Sequence, residues 1–294
     1  MKIIDGKKIA DEILQKTKDR IAKQKLSPQL DIIFVGEHQA SATFVAKKQE
    51  AGKNVGVKVI VHKFDQITER ELERLVSKLN QDEKINGIII QLPVPNLSKN
   101  YKVFEKIAPE KDVDGLNPIT QGKLWVNGDV NLLPATTRAI YEAIIKSHYI
   151  LDPNLDLDLN EFLTGKHVVI INRSIIIGKP LTALFLLHDC TVTIAHSKTR
   201  NLAAITRQAD ILVSATGNKN FISAEMIKPG VIIIDAGFNK EQGKIYGDVD
   251  PKAIATKASC LSPVPDGIGP IGVAMLIDNT VLAAQFQKSK KLLI

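Results

Sequence analysis

The sequence predicts an α/β fold with largely parallel sheets, arranged as two domains flanking a cleft. Apolar strand patterns alternate with helical ones from end to end, the order that builds parallel sheets with helices on their faces. At 294 residues the chain is long enough for two domains, each with its own core. Two proline-stiffened segments follow apolar runs: Gln91-Leu92-Pro93-Val94-Pro95, and Ser262-Pro263-Val264-Pro265-Asp266-Gly267-Ile268-Gly269-Pro270. The second packs three prolines and two glycines into nine residues, a backbone stiff in places and free to take positive φ in others. A loop that only connects two elements has no need of that, so the two segments suggest the walls of one cleft.

The elements follow in order. A helix is expected from about Lys7 to Lys23, with Ile9, Ile13, Leu14 and Ile21 on one face. The run Asp31-Ile32-Ile33-Phe34-Val35, closed by Gly36, reads as a buried strand. A helix from Ser41 to Val55, a strand from Val57 to Val61, a helix from Thr68 to Leu79 and a strand from Gly87 to Ile90 complete this alternation. The polar bridge Lys111-Asp112-Val113-Asp114-Gly115 precedes a less regular stretch up to about Pro134, and a helix is expected over Thr136 to Ser147. A second alternating unit has strands at His167–Ile171, Thr191–Ala195, Asp210–Ser214 and Val231–Asp235. The last helix, about Ile271 to Phe286, has no strand after it and is of the kind that returns to an earlier domain. The expected division is therefore residues 1–135, completed by the helix within 271–294, and residues 136–270.

Composition narrows the function classes. The charge of +7 admits nucleic acid, but the lysines are scattered along amphipathic helices, aromatics are only 5%, and no nucleic-acid-binding signature is present. A small substrate or cofactor carrying phosphates or carboxylates accounts for the excess more simply. No run of 18 apolar residues argues for a membrane span, and the N-terminus turns polar too early for a signal peptide. Cys190 and Cys260 lie far apart with no metal-ligand spacing, so neither a disulfide nor a metal site is expected and a cytoplasmic protein is.

The strand at His167–Ile171 enters Asn172-Arg173-Ser174-Ile175-Ile176-Ile177-Gly178-Lys179-Pro180, which opens a helix. A phosphate can approach backbone N–H groups there and meet the positive end of the helix dipole. This is not the G-x-G-x-x-G pattern, and an ordinary crossover fits the spacing equally well. The end of the next strand is more telling. Dinucleotide folds selective for NAD place an acid there for the ribose 2′-hydroxyl. Here the segment is His196-Ser197-Lys198-Thr199-Arg200, hydroxyls and cations that with Arg173 suit a 2′-phosphate. The second domain is accordingly expected to be Rossmann-like, with NADP as cofactor.

In the first domain, Lys48 lies four residues after Phe44, so the two share a helix face. Taken singly, such a lysine is a solvated charge and Asp114 a turn residue. Gln91 is less ordinary, because ends of parallel strands are where ligands sit. Taken in order, the segments Ser41-Ala42-Thr43-Phe44-Val45-Ala46-Lys47-Lys48, Gln91 to Pro95, Lys111 to Gly115, Arg173-Ser174 with Gly178-Lys179-Pro180, His196 to Thr199, and Pro263 to Pro270 resemble the bifunctional methylenetetrahydrofolate dehydrogenase/methenyltetrahydrofolate cyclohydrolase family. Gly247-Asp248-Val249 and Asp278-Asn279-Thr280 fit as well, so the resemblance spans nearly the whole chain.

The resemblance implies an NADP-dependent enzyme of one-carbon metabolism, both oxidoreductase and hydrolase, homodimeric, acting on tetrahydrofolate derivatives and supplying purine biosynthesis. Lys48 matches the catalytic lysine, Gln91 the glutamine that orients it, and Asp114 the acid that grips the pterin. Phe44, Pro263 and Gly267 fall at folate-facing positions. Asn172, Arg173, Ser174, Gly178, Ser197, Lys198 and Gly217 fall at cofactor positions. The sequence also departs from the family. Phe44 stands where a tyrosine is usual, Asn172 and Asp266 where glycines are, and Gly272 where a threonine is; Ala135-Thr136-Thr137-Arg138-Ala139 replaces a Cys-Thr-Pro-x-Gly segment. Asn172 is expected to crowd the phosphates, and Asp266 either to crowd the nicotinamide or to turn to solvent. An enzyme keeping one activity and a non-catalytic folate- or nucleotide-binding relative are the alternatives these departures leave.

Overall fold

The computed structural model describes residues 1–95, 102–128, 132–153 and 159–291. In chain order, β1 (Lys2–Ile3) precedes α1 (Gly6–Gln24), β2 (Gln29–Val35), α2 (Gln39–Val55), β3 (Lys58–Phe64), α3 (Glu69–Gln81) and β4 (Gly87–Gln91). Two 3-10 turns and α4 (Pro118–Asn127) lead to α5 (Ala135–Leu151), α6 (Leu159–Leu163), β5 (His167–Ile171), α7 (Gly178–Leu186), β6 (Thr191–Ala195), α8 (Leu202–Thr206) and β7 (Ile211–Ser214). Then follow β8 (Ile232–Asp235), β9 (Asn239–Glu241), β10 (Lys244–Tyr246), α9 (Pro251–Ile254), β11 (Cys260–Ser262) and α10 (Ile268–Lys291).

The chain divides into two compact units, one of Met1–Ile9 with Thr136–Gly272 and the other of Ala10–Ala135 with Val273–Ile294. Residues 1–9, expected with the rest of 1–135, thus belong with the later segment. The reason is β1, which pairs in parallel with β11, Lys2 opposite Cys260 and Ile3 opposite Leu261. Two residues carry no readable periodicity, so this pairing leaves no trace in the sequence.

The unit holding residues 10–135 is built on a parallel sheet in the order β3-β2-β4. All of β2 is buried, which explains its unbroken apolar run. Its one charged residue, Asp31, accepts hydrogen bonds from Gln29 Nε2 at 2.8 Å and His62 Nε2 at 2.6 Å. The helix α3 starts at a reciprocal capping box between Thr68 and Glu71 and buries Leu72, Val76 and Leu79. α10 is long and apolar enough to cross a membrane by composition, yet 72% of its apolar window is buried within the protein, including Ile277, Val281 and Ala283. It is a core helix.

The other unit carries a six-stranded sheet in the order β1-β11-β8-β7-β5-β6, parallel throughout. Its core includes Val169, Ile171, Leu212, Ile233 and Leu261. The chain leaves β5 to one side for β6, then returns to the other side for β7. The C-terminal edge of β5 is therefore the switch point at which doubly wound sheets bind ligands. β11 sits inside this sheet but has three residues, too few for a strand pattern to show.

Candidate active site

α2 and β4 bring the catalytic candidates together. Ser41, in the first turn of α2, donates its hydroxyl to the Leu92 carbonyl at 3.1 Å, tying the helix start to the segment that follows β4. Two turns on, Lys48 reaches the end of that strand and donates from Nζ to Gln91 Oε1 at 2.8 Å. Gln91 Nε2 donates to the Leu92 carbonyl at 3.0 Å, which fixes the amide so that its oxygen faces the lysine. Burial pulls the Lys48 ammonium below the ordinary lysine range, and the negative charge of Asp114 opposes that shift.

Asp114 depends on a rigid backbone. Asp112, 1% exposed, accepts backbone N–H groups from Leu116 at 3.2 Å and Asn117 at 2.7 Å. Asn279 on α10 donates to the carbonyls of Val113 at 2.8 Å and Leu133 at 2.9 Å. Gly115 has φ of 65°, and a Cβ there would run into the backbone of Leu132 to Pro134, so only glycine fits the turn. Within this frame burial raises the Asp114 carboxyl to about 6, with Lys48 lowering it and Asp112 raising it. A lysine weakened as a base-holder of protons and a carboxyl titrating near neutrality form a pair suited to proton exchange. Asp112, Asn279 and Ser41 carry this geometry, and no periodicity in the sequence marks them.

The cofactor candidates collect at the C-terminal ends of the adjacent strands β6, β5 and β7. Asn172, Ser174 and Gly178 lie in the loop after β5, Ser197 and Lys198 after β6, and Gly217, with φ of 71°, after β7. The side chain of Asn172, expected from the sequence to crowd the phosphates, is held by hydrogen bonds. It turns into its own loop, accepting from Ser174 N at 2.8 Å and Gly178 N at 3.3 Å and donating to the Ala215 carbonyl at 2.8 Å. A Cβ at Gly178 would collide with the Asn172 carbonyl, so the start of α7 closes tightly on this loop. Thr137, where a proline is usual, donates its hydroxyl to Ile176 O at 3.0 Å and braces the same loop. Arg173, Ser197, Lys198 and Arg200 are exposed. The tight loop and its exposed cations fit a 2′-phosphorylated dinucleotide.

In the segment after β11, Pro263 is half-buried and Gly267 buried, and a Cβ at Gly267 would run into Pro263 O and Ser262 Oγ. Asp266 has φ of 75°, which explains the usual glycine at this position. Its exposed carboxylate pairs with Lys7 at 2.9 Å, the solvent-facing of the two expected orientations. Asp266→Gly is therefore expected to leave the KM for NADP unchanged in initial-rate kinetics; a fall in KM would place the carboxylate against the cofactor instead.

Residues 4–114 match the family described as tetrahydrofolate dehydrogenase/cyclohydrolase, catalytic domain, and residues 155–288 match its NAD(P)-binding domain. The chain is 41% identical to Bifunctional protein FolD of Lactobacillus gasseri over 98% of its own length and 99% of that protein's. It is 43% identical to Bifunctional protein FolD of Geobacillus thermodenitrificans, over 96% of this chain and 97% of that one. Among solved structures, the bifunctional 5,10-methylenetetrahydrofolate dehydrogenase/cyclohydrolase of Thermoplasma acidophilum superposes with a TM-score of 0.88 at 33% identity, covering 98% of this chain and 100% of that one. The Trypanosoma brucei enzyme, solved with NADP cofactor and inhibitor, gives 0.87 at 31% identity, with 97% of each chain covered.

Proposed function

The chain belongs to the tetrahydrofolate dehydrogenase/cyclohydrolase family, and from that premise we propose how its residues divide two consecutive reactions. It oxidises 5,10-methylenetetrahydrofolate to the 5,10-methenyl form with NADP, and hydrolyses the methenyl form to 10-formyltetrahydrofolate. NADP, when bound, supplies the nicotinamide that accepts the hydride. The residue roles below are our own reading.

Asp114 grips the pterin. An ionised carboxylate accepts two N–H donors side by side, and a 2-amino-4-oxopyrimidine presents such a pair in its amino group and ring N–H. Lys48 manages protons at the one-carbon bridge. Water adds to the electrophilic methenyl carbon and the adduct loses a proton; the bond from that carbon to N5 then breaks as N5 gains a proton and the carbinol hydroxyl releases its own, leaving the formyl group on N10 and one proton to solvent. Lys48, as the neutral amine that burial favours, takes the first proton and returns it for the ring opening, while Gln91 accepts from its Nζ and holds it in line. The observation that carries this reading is the 2.8 Å Lys48–Gln91 hydrogen bond with Asp114 electrostatically coupled to the lysine. Phe44 shares the face of α2 with Lys48 and offers the folate a ring without a hydroxyl. Pro263 and Gly267 shape the loop along folate and nicotinamide.

Following both steps with purified protein, first NADP reduction by methylenetetrahydrofolate and then loss of the methenyl chromophore, tests the reading. Absence of the second step leaves a single-activity enzyme; absence of both with retained folate binding leaves a binding protein. Arg173, Ser197 and Lys198 hold the 2′-phosphate, with Asn172, Ser174, Gly178 and Gly217 shaping the loops that carry the dinucleotide. Arg173→Ala is expected to raise the KM for NADP about tenfold, the worth of one charge-assisted hydrogen bond, with little change in the KM for NAD. A parallel loss with both cofactors would refute that assignment. By the family resemblance we further place the enzyme in the cytoplasm, as a homodimer supplying one-carbon units to purine biosynthesis. Its two cysteines, both free and buried, accord with a reducing compartment.

A further inference from the structure

Two enclosed carboxylates stand beside the cofactor loops without touching any residue assigned a role above except through backbone. Asp235, at the end of β8, is 1% exposed; Asp248, after β10, is 0% exposed. Among the described residues no cation pairs with either, so each is held by hydrogen bonds alone. Asp248 gathers donors from three points along one turn: Ser214 Oγ at 2.6 Å, Thr216 N at 2.6 Å and Asn218 N at 3.0 Å. Asp235 accepts from Gly237 N at 2.9 Å, Asp248 N at 3.1 Å and Val249 N at 2.9 Å. One carboxylate thus fixes the backbone that carries the second, and the second fixes the turn after β7 that contains Gly217. From that turn the Ala215 carbonyl receives the Asn172 amide, which in turn orders the loop after β5.

Such a pair is costly to bury, and the cost is offset by the five backbone N–H groups and one hydroxyl that the two carboxylates satisfy. The surrounding sequence is shaped to permit it. A Cβ at Gly237 would collide with the Asp248 carboxylate, and one at Gly247 with that of Asp235. Burial raises the Asp235 carboxyl to about 7, with the Asp248 charge adding to the shift and three backbone N–H groups opposing it.

We propose that Asp248, held by Asp235, is a positioning residue for NADP: it sets the 215–218 turn, and through Asn172 the 172–178 loop, in the shape that receives the dinucleotide. The proposal rests on the reading that these loops bind the cofactor. Asp248→Asn removes one acceptor and puts an amide N–H against a backbone N–H. The dissociation constant of NADP, measured by calorimetric titration of the purified protein, is expected to rise at least about tenfold. The hydrolysis of the methenyl substrate consumes no nucleotide and is expected to continue at the wild-type rate, which a general loss of structure would not allow. Unchanged NADP affinity in folded Asp248→Asn, alongside weakened affinity in Arg173→Ala, would overturn the positioning role while sparing the cofactor site. Unchanged affinity in both would sink the cofactor reading itself. Should Asp248→Asn fail to fold, Asp235→Asn, whose Oδ1 can still accept from Gly237 and Asp248, provides a milder arm. It is expected to weaken NADP about threefold with hydrolysis intact, whereas unaltered affinity, or equal loss of both activities, would refute the proposal.

Discussion

Replacement of Lys48 by methionine is expected to lower the cyclohydrolase rate by about 10²–10⁴-fold, the usual contribution of a positioned acid or base. Methionine keeps the length and apolar stem of the side chain and carries no proton. Water addition and ring opening both move protons, so the hydrolytic step bears the loss directly. Hydride transfer moves none through the lysine, and dehydrogenase activity is expected to fall far less, provided folate still binds. Gln91 Oε1 loses its 2.8 Å donor in this variant, so circular dichroism and the folate dissociation constant must be read beside the rates. Full cyclohydrolase activity would exclude Lys48 as the proton carrier.

A second large effect is expected at Asp114. Its replacement by asparagine keeps one acceptor and turns an N–H₂ group toward a donor of the pterin. Loss of a charge-assisted pair costs about 1.5–3 kcal/mol, so kcat/KM for folate should drop about ten- to a hundredfold. Both activities should fall together, because both require the bound pterin, which separates this variant from Lys48→Met. The pH dependence gives a sharper check. Burial holds the Asp114 carboxyl at about 6, so a falling pH protonates it in the free enzyme and folate affinity should weaken below that value. Lys48 is the charge that pulls this value down, hence its removal should move the acid limb to higher pH. The limb should vanish in Asp114→Asn. A limb that persists there belongs to another group.

Legibility in the sequence followed burial and length. β2 and β4 are buried along most of their course and show as continuous apolar runs; α3 announces its start through Thr68 and Glu71. The strands β1 and β11 are too short to repeat a pattern, and the hairpin β9–β10 is polar, so none was visible. At the site, Lys48, Gln91 and Asp114 stand out through motif and strand position. Asp112, Asn279 and Asp248 fall within the motifs, but what they hold does not show there, because they act on backbone groups that only the fold brings to them. Asn172 shows the same limit from the other side. A residue larger than glycine suggested obstruction, and only the fold reveals that its amide hydrogen-bonds within the loop.

The alternation of the chain between its two units also bears on synthesis. β1 precedes its partner β11 by more than 250 residues, so their pairing closes a loop of that length. Contacts of such sequence separation form late, after local helices and neighbouring strands have organised. Asn279, which clamps the carbonyls of Val113 and Leu133, lies 166 and 146 residues after them. A nascent chain that has already formed the sheet β3-β2-β4 would still lack the brace behind Asp114. Competence to bind folate thus waits on the synthesis of α10 and is not reached by residues 10–135 alone.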